Sequence, residues 1–275
     1  MSTITLQPDV LNYVCTLVQE RSAIELEAGK AYLIEARLTP VAKRHGFQTP
    51  TELIRSMQTK PVAELQRQVV EAMTTNETSF FRDTHPFEAL RTDILPPILK
   101  QQAARRTLNI WSAACSTGQE AYSVAMLLRE SFPELSGWNV KILGTDLSEE
   151  VLTKARAASF SQIEMNRGLP AALLARYFKR QGMHWELEPR IKELTSFVKL
   201  NLIETWPPMP TMDVVFLRNV LIYFAPETKK LILKKIRKCI APHGVLFLGA
   251  AETTMGLDDA FVRVQSSNSV YYRLK

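Results

Sequence analysis

The chain has 275 residues, of which 46% are hydrophobic and 23% charged. These are globular values with ample length for a core, and they exclude wholesale disorder. Three widely spaced cysteines, Cys15, Cys115 and Cys239, exclude a disulfide framework and a cysteine-based zinc site, leaving reduced, mostly buried thiols as the expectation. The net charge of +6 is uneven: residues 1–90 carry 9 Lys+Arg against 11 Asp+Glu, net −2, and residues 91–275 carry 25 against 17, net +8.

The opening MSTITLQPDVLNYV lacks the basic start and apolar stretch of an export leader. The longest apolar run, GVLFLGAA, is too short to cross a bilayer, so a cytoplasmic protein without membrane insertion is expected. Residues 1–90 read as helices only, with apolar residues at spacings of three and four in VLNYVCTLVQERSAI, AYLIEARLTPVAKRHG, TELIRSMQ and VAELQRQVVEAMTTNE. Gly29 and Gly46 mark breaks, Thr49-Pro50 and Lys60-Pro61 open new segments, and Thr51 is a candidate N-cap. Pro40 is expected to kink the second helix or mark its first turn.

From Arg106 the pattern changes to short apolar strands alternating with helices: TLNIWSAA, QEAYSVAMLLRESF, NVKILGTDL, EEVLTKARAA, then MDVVFLRN, PETKKLILKKIRKCI and GVLFLGAAE. This is the pattern of a parallel sheet covered on both faces, a doubly wound α/β domain over 91–275. GMHWELEPRIKELTSFVKL predicts a small antiparallel β insertion at about 177–200, outside the main layers. AFVRVQSSNSVYYRLK predicts a closing antiparallel hairpin around Ser-Ser-Asn-Ser. The cations Lys229, Lys230, Lys234, Lys235, Arg237 and Lys238 interleave with Leu231, Ile232, Leu233 and Ile236 at helical spacing, which reads as a solvated face with snorkelling stems.

Ligands of open parallel sheets sit at the carboxyl ends of the strands. The first strand runs through SAACSTGQEAYS into a helix with a single glycine, Gly118. It lacks the G-x-G-x-x-G pattern and there is no G-K-[ST], which argues against NAD, FAD and P-loop nucleotides. S-adenosylmethionine carries no phosphate, and needs a tight turn plus an acceptor for its ammonium, which Gly118 and Glu120 can supply; the competing reading is a plain strand-to-helix turn. The second strand ends in LGTDL, where Asp146 can accept both hydrogen bonds of a ribose diol; the competing reading is a helix cap before Ser148-Glu149. Asn201-Leu202 and Leu217-Arg218-Asn219 complete four strand ends. An Arg and Asn following DVVFL require a ligand or a polar network. There is no [DN]-P-P-[YFW] and no Pro-Cys nucleophile, so nucleobase methylation loses ground. TNETSFFRDTHPF, residues 75–87, lies at the seam of the two parts. It either glues the domains together or turns Asn76, Thr78 and Arg82 toward the crevice. His45, His85, His184 and His243 show no metal or triad spacing.

Taken in order, the all-helical N-terminal part, TNETSFFRDTHPF, WSAACSTGQEAYS, LGTDLS, RGLPAALLARYF, VKLNL and FLRNVLIYF cover essentially the whole chain. In these motifs the chain resembles the chemotaxis receptor glutamate methyltransferases, the CheR family. The resemblance implies a class I S-adenosylmethionine methyltransferase fold, Rossmann-like, with an N-terminal helical domain and a β insertion. Its implied substrate is glutamate side chains on the cytoplasmic helical bundle of chemoreceptors, with S-adenosylhomocysteine as the second product. Matching positions imply cofactor contacts at Asn76, Thr78, Arg82, Glu120, Asp146, Asn201, Leu202, Arg218 and Asn219, with Leu217 through its backbone, and a catalytic role for Arg82 and Tyr223. Arg37, Lys43 and Arg44 can pair with acidic receptor helices, and the β insertion can capture a receptor's C-terminal peptide as an added strand. A monomer that binds no nucleic acid and no metal is expected. Two competing readings are a nucleic-acid methyltransferase, favoured only by the basic C-terminal part, and a non-catalytic S-adenosylmethionine-fold adaptor.

Overall fold

A computed structural model describes residues 6–26, 29, 31–266 and 269–275. The chain divides into two compact units: one runs to Thr75 and takes in Tyr223–Thr228, and the other comprises Asn76–Ile222 with Lys229–Lys275. The division falls earlier than residue 90, the boundary expected from the sequence. The reason is burial: Phe80, Phe87, Ala89 and Leu90 all enter the core of the α/β unit.

The first unit packs α1 (Pro8–Ser22), α2 (Ala31–Arg44), α3 (Pro50–Thr59) and α4 (Ala63–Met73) against one another. Each helix buries a stripe at 3 and 4 spacing: Val10, Val14, Leu17 and Val18 in α1, Ile34, Leu38 and Val41 in α2. The N-cap of α3 is Thr49, whose hydroxyl accepts from the Glu52 N–H at 3.2 Å, with Pro50 at the first helical position. Thr51 therefore lies inside the helix and caps nothing. Pro40 sits within α2 and the helix runs through it, with Thr39 Oγ donating to the Glu35 carbonyl at 2.7 Å.

The second unit opens with α5 (His85–Ala89), which continues through a π-helical turn (Leu90–Ile94) into α6 (Leu95–Gln102). Then follow β1 (Thr107–Ala113), α7 (Gln119–Ser131), β2 (Asn139–Asp146), α8 (Glu149–Ala157), β3 (Ser159–Ser161), α9 (Gln162–Met165), α10 (Ala171–Tyr177), β4 (Phe178–Gln181), β5 (His184–Leu187), α11 (Pro189–Lys192), β6 (Thr195–Lys199) and β7 (Met212–Leu217). The chain closes with α12 (Pro226–Cys239), β8 (Ile240–Leu248), β9 (Phe261–Ser266) and β10 (Ser269–Leu274).

The main sheet has the order β6-β2-β1-β7-β8-β10-β9. The first five strands run parallel, and β10 is antiparallel to both β8 and β9. The order reverses between β1 and β7, so the switch point that positions ligands in open α/β sheets lies there. Every residue of β7 is buried, as a central parallel strand requires. The Phe216 ring on it stacks on Phe247 at 4.9 Å and on Phe87 at 5.9 Å.

The hairpin forms as expected from the sequence, with Ser267 and Asn268 of its turn outside the described residues. The β insertion differs from expectation. Its sheet is β3-β5-β4 and so starts at Ser159, whereas Thr195–Lys199 leaves it to become an edge strand of the main sheet. At the amino ends of the central strands, Asp213 (3% exposed) accepts from the Asn109 N–H at 2.7 Å and lies 2.7 Å from His243 Nε2, a role for His243 that spacing did not reveal. Among the described residues no helix is long and apolar enough to cross a membrane, and no group of side chains is arranged to hold a metal.

Candidate functional site

The registers bring the strand ends level. Ala113 pairs with Thr145, Asp146 with Lys199, and Ser112 with Phe216, just before Leu217. Everything that follows β1, β2, β6 and β7 therefore emerges along one edge of the sheet.

The segment after β1 is a compressed loop. Ala114, Ser116 and Gly118 all take positive φ, and the Gly118 N–H closes back on the Cys115 carbonyl at 3.0 Å. Gly118 takes φ 92°, which favours glycine, and a Cβ there would lie 3.1 Å from each of Ala155, Phe197 and Tyr122, a tight fit on all three. The loop is moored from two sides. The Ser116 N–H donates to Asp146 Oδ2 at 2.9 Å and the Ser116 hydroxyl to the Asn76 carbonyl at 2.8 Å.

Asp146 is buried, and its second oxygen accepts the Ser148 N–H at 3.0 Å. The N-cap of α8 is Ser148 itself, whose side chain accepts from Val151 N. The carboxylate thus fixes two loops rather than capping a helix. Glu120, in the first turn of α7, is held the same way: Oε1 accepts from Ser112 Oγ at 2.7 Å and Oε2 from Arg218 Nη1 at 3.0 Å. Burial, reinforced by the charges of Asp146 and Glu120, pushes the Cys115 thiol well above its ordinary pKa. A buried thiol held protonated in this way is no nucleophile.

Arg218, directly after β7, has a side chain only 2% exposed. Besides Glu120 it binds the Arg82 carbonyl at 2.9 Å and Asp83 Oδ2 at 2.6 Å through Nη2, and it lies over the Phe87 ring. It thus ties the 76–90 segment to the strand end and to α7. That segment is tightly bent, with Phe81, Asp83 and Thr84 at positive φ. It is anchored by Phe80 among Phe160 and Phe178 and by the Phe81 N–H on Ser123 Oγ at 2.9 Å. Gly168, from RGLPAALLARYF, approaches so closely that a Cβ there would sit 2.1 Å from the Phe80 carbonyl. Arg82 is half-buried, and its Nη1 donates to the Glu77 carbonyl at 3.1 Å; Thr78 is half-buried and Asn76 exposed.

Asn219 takes φ 58°, and its Oδ1 is buried with no hydrogen-bond partner among the described residues. Leu217 is fully buried. Asn201 folds its side chain back on its own turn, Oδ1 accepting from Ile203 N at 3.2 Å and Nδ2 donating to Glu204 at 3.1 Å, while Leu202 is buried. Tyr223 belongs to the other compact unit, where its carbonyl accepts the Glu25 N–H at 3.1 Å. Of the cations expected to meet a partner, Arg37 is engaged within its own unit. It donates to the Met73 carbonyl at 2.6 Å and to Thr75 Oγ1 at 3.0 Å; Lys43 and Arg44 are exposed.

One residue of the site is not legible in the sequence, because its partners are backbone N–H groups. Glu252, in the turn after β8, accepts from the N–H groups of Gly249 (2.6 Å), Asn219 (2.8 Å), Val220 (2.8 Å) and Ile222 (3.3 Å). It holds the turn after β7 against the one after β8, beside a cavity of about 330 Å³ also lined by Asp83, His85, Arg218 and Tyr272. Replacing Glu252 by Ala strips the acceptor from four backbone donors. Stability should fall by about 2–4 kcal/mol, seen in thermal unfolding as a drop of roughly 5–15 °C, with Glu252→Gln recovering part of it.

The segment 76–270 matches the family described as CheR methyltransferase, SAM binding domain, and 9–74 matches CheR methyltransferase, all-alpha domain. The chain is 41% identical over 263 residues to chemotaxis protein methyltransferase 1 of Pseudomonas aeruginosa, covering 94% of this chain and 95% of that protein. It is 38% identical over 263 residues to chemotaxis protein methyltransferase Cher2 of Pseudomonas putida, with the same coverage. Against the chemotaxis protein methyltransferase of Vibrio parahaemolyticus it is 34% identical over 278 residues, covering both chains completely.

Proposed function

Because the chain belongs to the CheR family of S-adenosylmethionine-dependent chemotaxis methyltransferases, we propose that its acceptors are glutamate side chains on the cytoplasmic helical bundle of chemoreceptors, giving glutamate 5-methyl esters. The observation that carries the reading is the set of acceptors at the switch point, Glu120, Asp146 and the unpartnered Asn219 Oδ1, around a turn with no glycine-rich phosphate cradle. This set fits a phosphate-free ligand carrying a cationic amino-acid end and a ribose. Glu120 and Asn219 would receive the ammonium, Asp146 the ribose, and the turns at Asn201-Leu202 and Leu217 the remainder, with Asn76, Thr78 and Arg82 covering from the 76–90 segment.

When bound, the cofactor supplies a methyl on a positively charged sulfur, and transfer to a carboxylate oxygen leaves S-adenosylhomocysteine and a neutral ester. A glutamate with pKa ~4.3 is already ionised at neutral pH, so no general base is required of the protein. Its residues must align the carboxylate and exclude water. In this reading Arg82 holds one carboxylate oxygen and aims the other, and Tyr223 carries the catalytic role that the resemblance implies. Lys43 and Arg44 on α2 meet the acidic receptor helix, and an exposed edge of the β3-β5-β4 sheet offers a place for a receptor's C-terminal peptide to add as a strand. The acting protein is cytoplasmic.

The test is transfer of labelled methyl from S-adenosylmethionine to receptor cytoplasmic fragments, followed by mild base. Label released as methanol is the expected result. Label that survives base, or that enters RNA or DNA instead, would overturn the reading.

A further inference from the structure

Of the six cations on α12, one behaves unlike the rest. Lys230, Lys234 and Lys238 are exposed, and Arg237 pairs with Asp258 at 3.2 Å. Lys235 turns inward: its Nζ donates to three consecutive carbonyls, Leu202 at 3.0 Å, Ile203 at 2.9 Å and Glu204 at 2.6 Å. The ammonium has three donors, and all three are engaged. It also lies 5.3 Å from the centre of the Trp206 ring. That indole donates to the Leu202 carbonyl at 3.3 Å and meets Trp111 edge-on at 5.1 Å, with Trp111 Nε1 donating to Thr145 Oγ1 at 2.9 Å. Burial lowers the Lys235 pKa despite the opposing charge of Glu204.

Three carbonyls pointing at one spot repel each other electrostatically and would turn apart if left to water. A half-buried cation donating to all three holds the 201–204 turn in one conformation. The Asn201 side chain bonds within the same turn, so Lys235 and Asn201 both fix it.

We propose that Lys235 is a positioning residue for the cofactor: by gathering the Leu202, Ile203 and Glu204 carbonyls it presents the Asn201-Leu202 turn to the ligand in a ready-made shape. The inference rests on the reading that this turn contacts S-adenosylmethionine. A pre-ordered turn lowers the entropy lost on binding, so its loss should appear in affinity rather than in the rate of transfer.

The experiment uses the full chain and Lys235→Met, with Lys235→Arg as a conservative variant that keeps charge and donors. S-adenosylhomocysteine is the probe, titrated calorimetrically. Lys235→Met should weaken its binding about 10-fold and raise KM for the methyl donor similarly, with kcat at saturating donor within about threefold and KM for the receptor fragment unchanged; Lys235→Arg should lie nearer the wild type. Amide exchange without ligand should quicken at Ile203 and Glu204 in Lys235→Met. Unchanged affinity together with unchanged exchange would overturn the inference, as would equal falls in kcat and affinity, the mark of a general loss of structure. If Lys235→Met does not fold, the same comparison is read from Lys235→Gln, which loses the charge and shortens the stem and should raise KM for the donor and not kcat; an unchanged KM there would overturn the inference. A wild-type chain that fails to bind the probe would instead overturn the cofactor reading, and this inference with it.

Discussion

Arg218→Met should abolish most activity, lowering turnover by roughly 10³ or more, and should cost about 3–5 kcal/mol of stability. The side chain is almost wholly enclosed and carries three attachments at once, to Glu120, Asp83 and the Arg82 carbonyl. These attachments are unequal. The Asp83 side chain is 49% exposed, so water replaces much of what that pair contributes. Glu120 is 13% exposed and would keep a desolvated charge with only Ser112 beside it, and that leftover charge sets the size of the effect. Methionine matches the stem and restores none of the polar contacts. Arg218→Lys keeps the charge, yet one ammonium on a flexible stem cannot reproduce a planar fork spanning Glu120 and the 82–83 backbone, so it should recover stability better than activity. Thermal unfolding without ligand and calorimetric titration with S-adenosylhomocysteine check both parts. A melting temperature and an affinity close to wild type in Arg218→Met would show that the 76–90 segment is held by other means.

Arg82→Ala should lower turnover by roughly 10² to 10³ while changing cofactor affinity far less, by analogy with the loss of one positioned donor. Its guanidinium is half-buried and donates to a backbone carbonyl, that of Glu77, which leaves the head suited to receiving a carboxylate. On the proposed glutamate acceptor, the methyl transfer would remove charge from both reactants. A very strong Arg82–carboxylate bond would therefore stabilise the ground state as much as the transition state and add little to the rate. What remains for Arg82 is alignment, and alignment appears in the single-turnover rate. Comparing that rate on a receptor fragment with the S-adenosylhomocysteine dissociation constant separates the two roles. Equal losses would make Arg82 a cofactor clamp rather than a catalytic group.

Elements with strong periodicity were legible: the four N-terminal helices, the apolar β7, and the alternation that yields a parallel sheet; the strand order, and with it the switch point between β1 and β7, was not. The polar residues at strand ends were legible because such residues after apolar strands demand partners, and Arg218 and Asp146 have them. Pairing partners were not. Thr195–Lys199 alternates like an appendage strand, yet it joins the main sheet beside β2, a choice made by long-range registry that local pattern cannot express. Lys235 looked like any member of a cationic run, because whether a lysine faces water depends on which carbonyls the fold brings beneath it. Glu252 went unnoticed for the same reason, since four backbone N–H donors leave no trace in side-chain composition. The boundary falls earlier than expected because the seam segment 75–87 has no pattern that assigns it to either part, and only burial tells which core receives Phe80 and Phe87.

Within four positions, Phe81, Asp83 and Thr84 all occupy a half of conformational space that side chains with a Cβ ordinarily avoid. Each such residue raises the free energy of the fold by order 1 kcal/mol, and a glycine there would have lowered that toll at the expense of a floppier hinge. The domain is therefore less robust to heat than its core alone would permit, in exchange for a segment whose course does not wander.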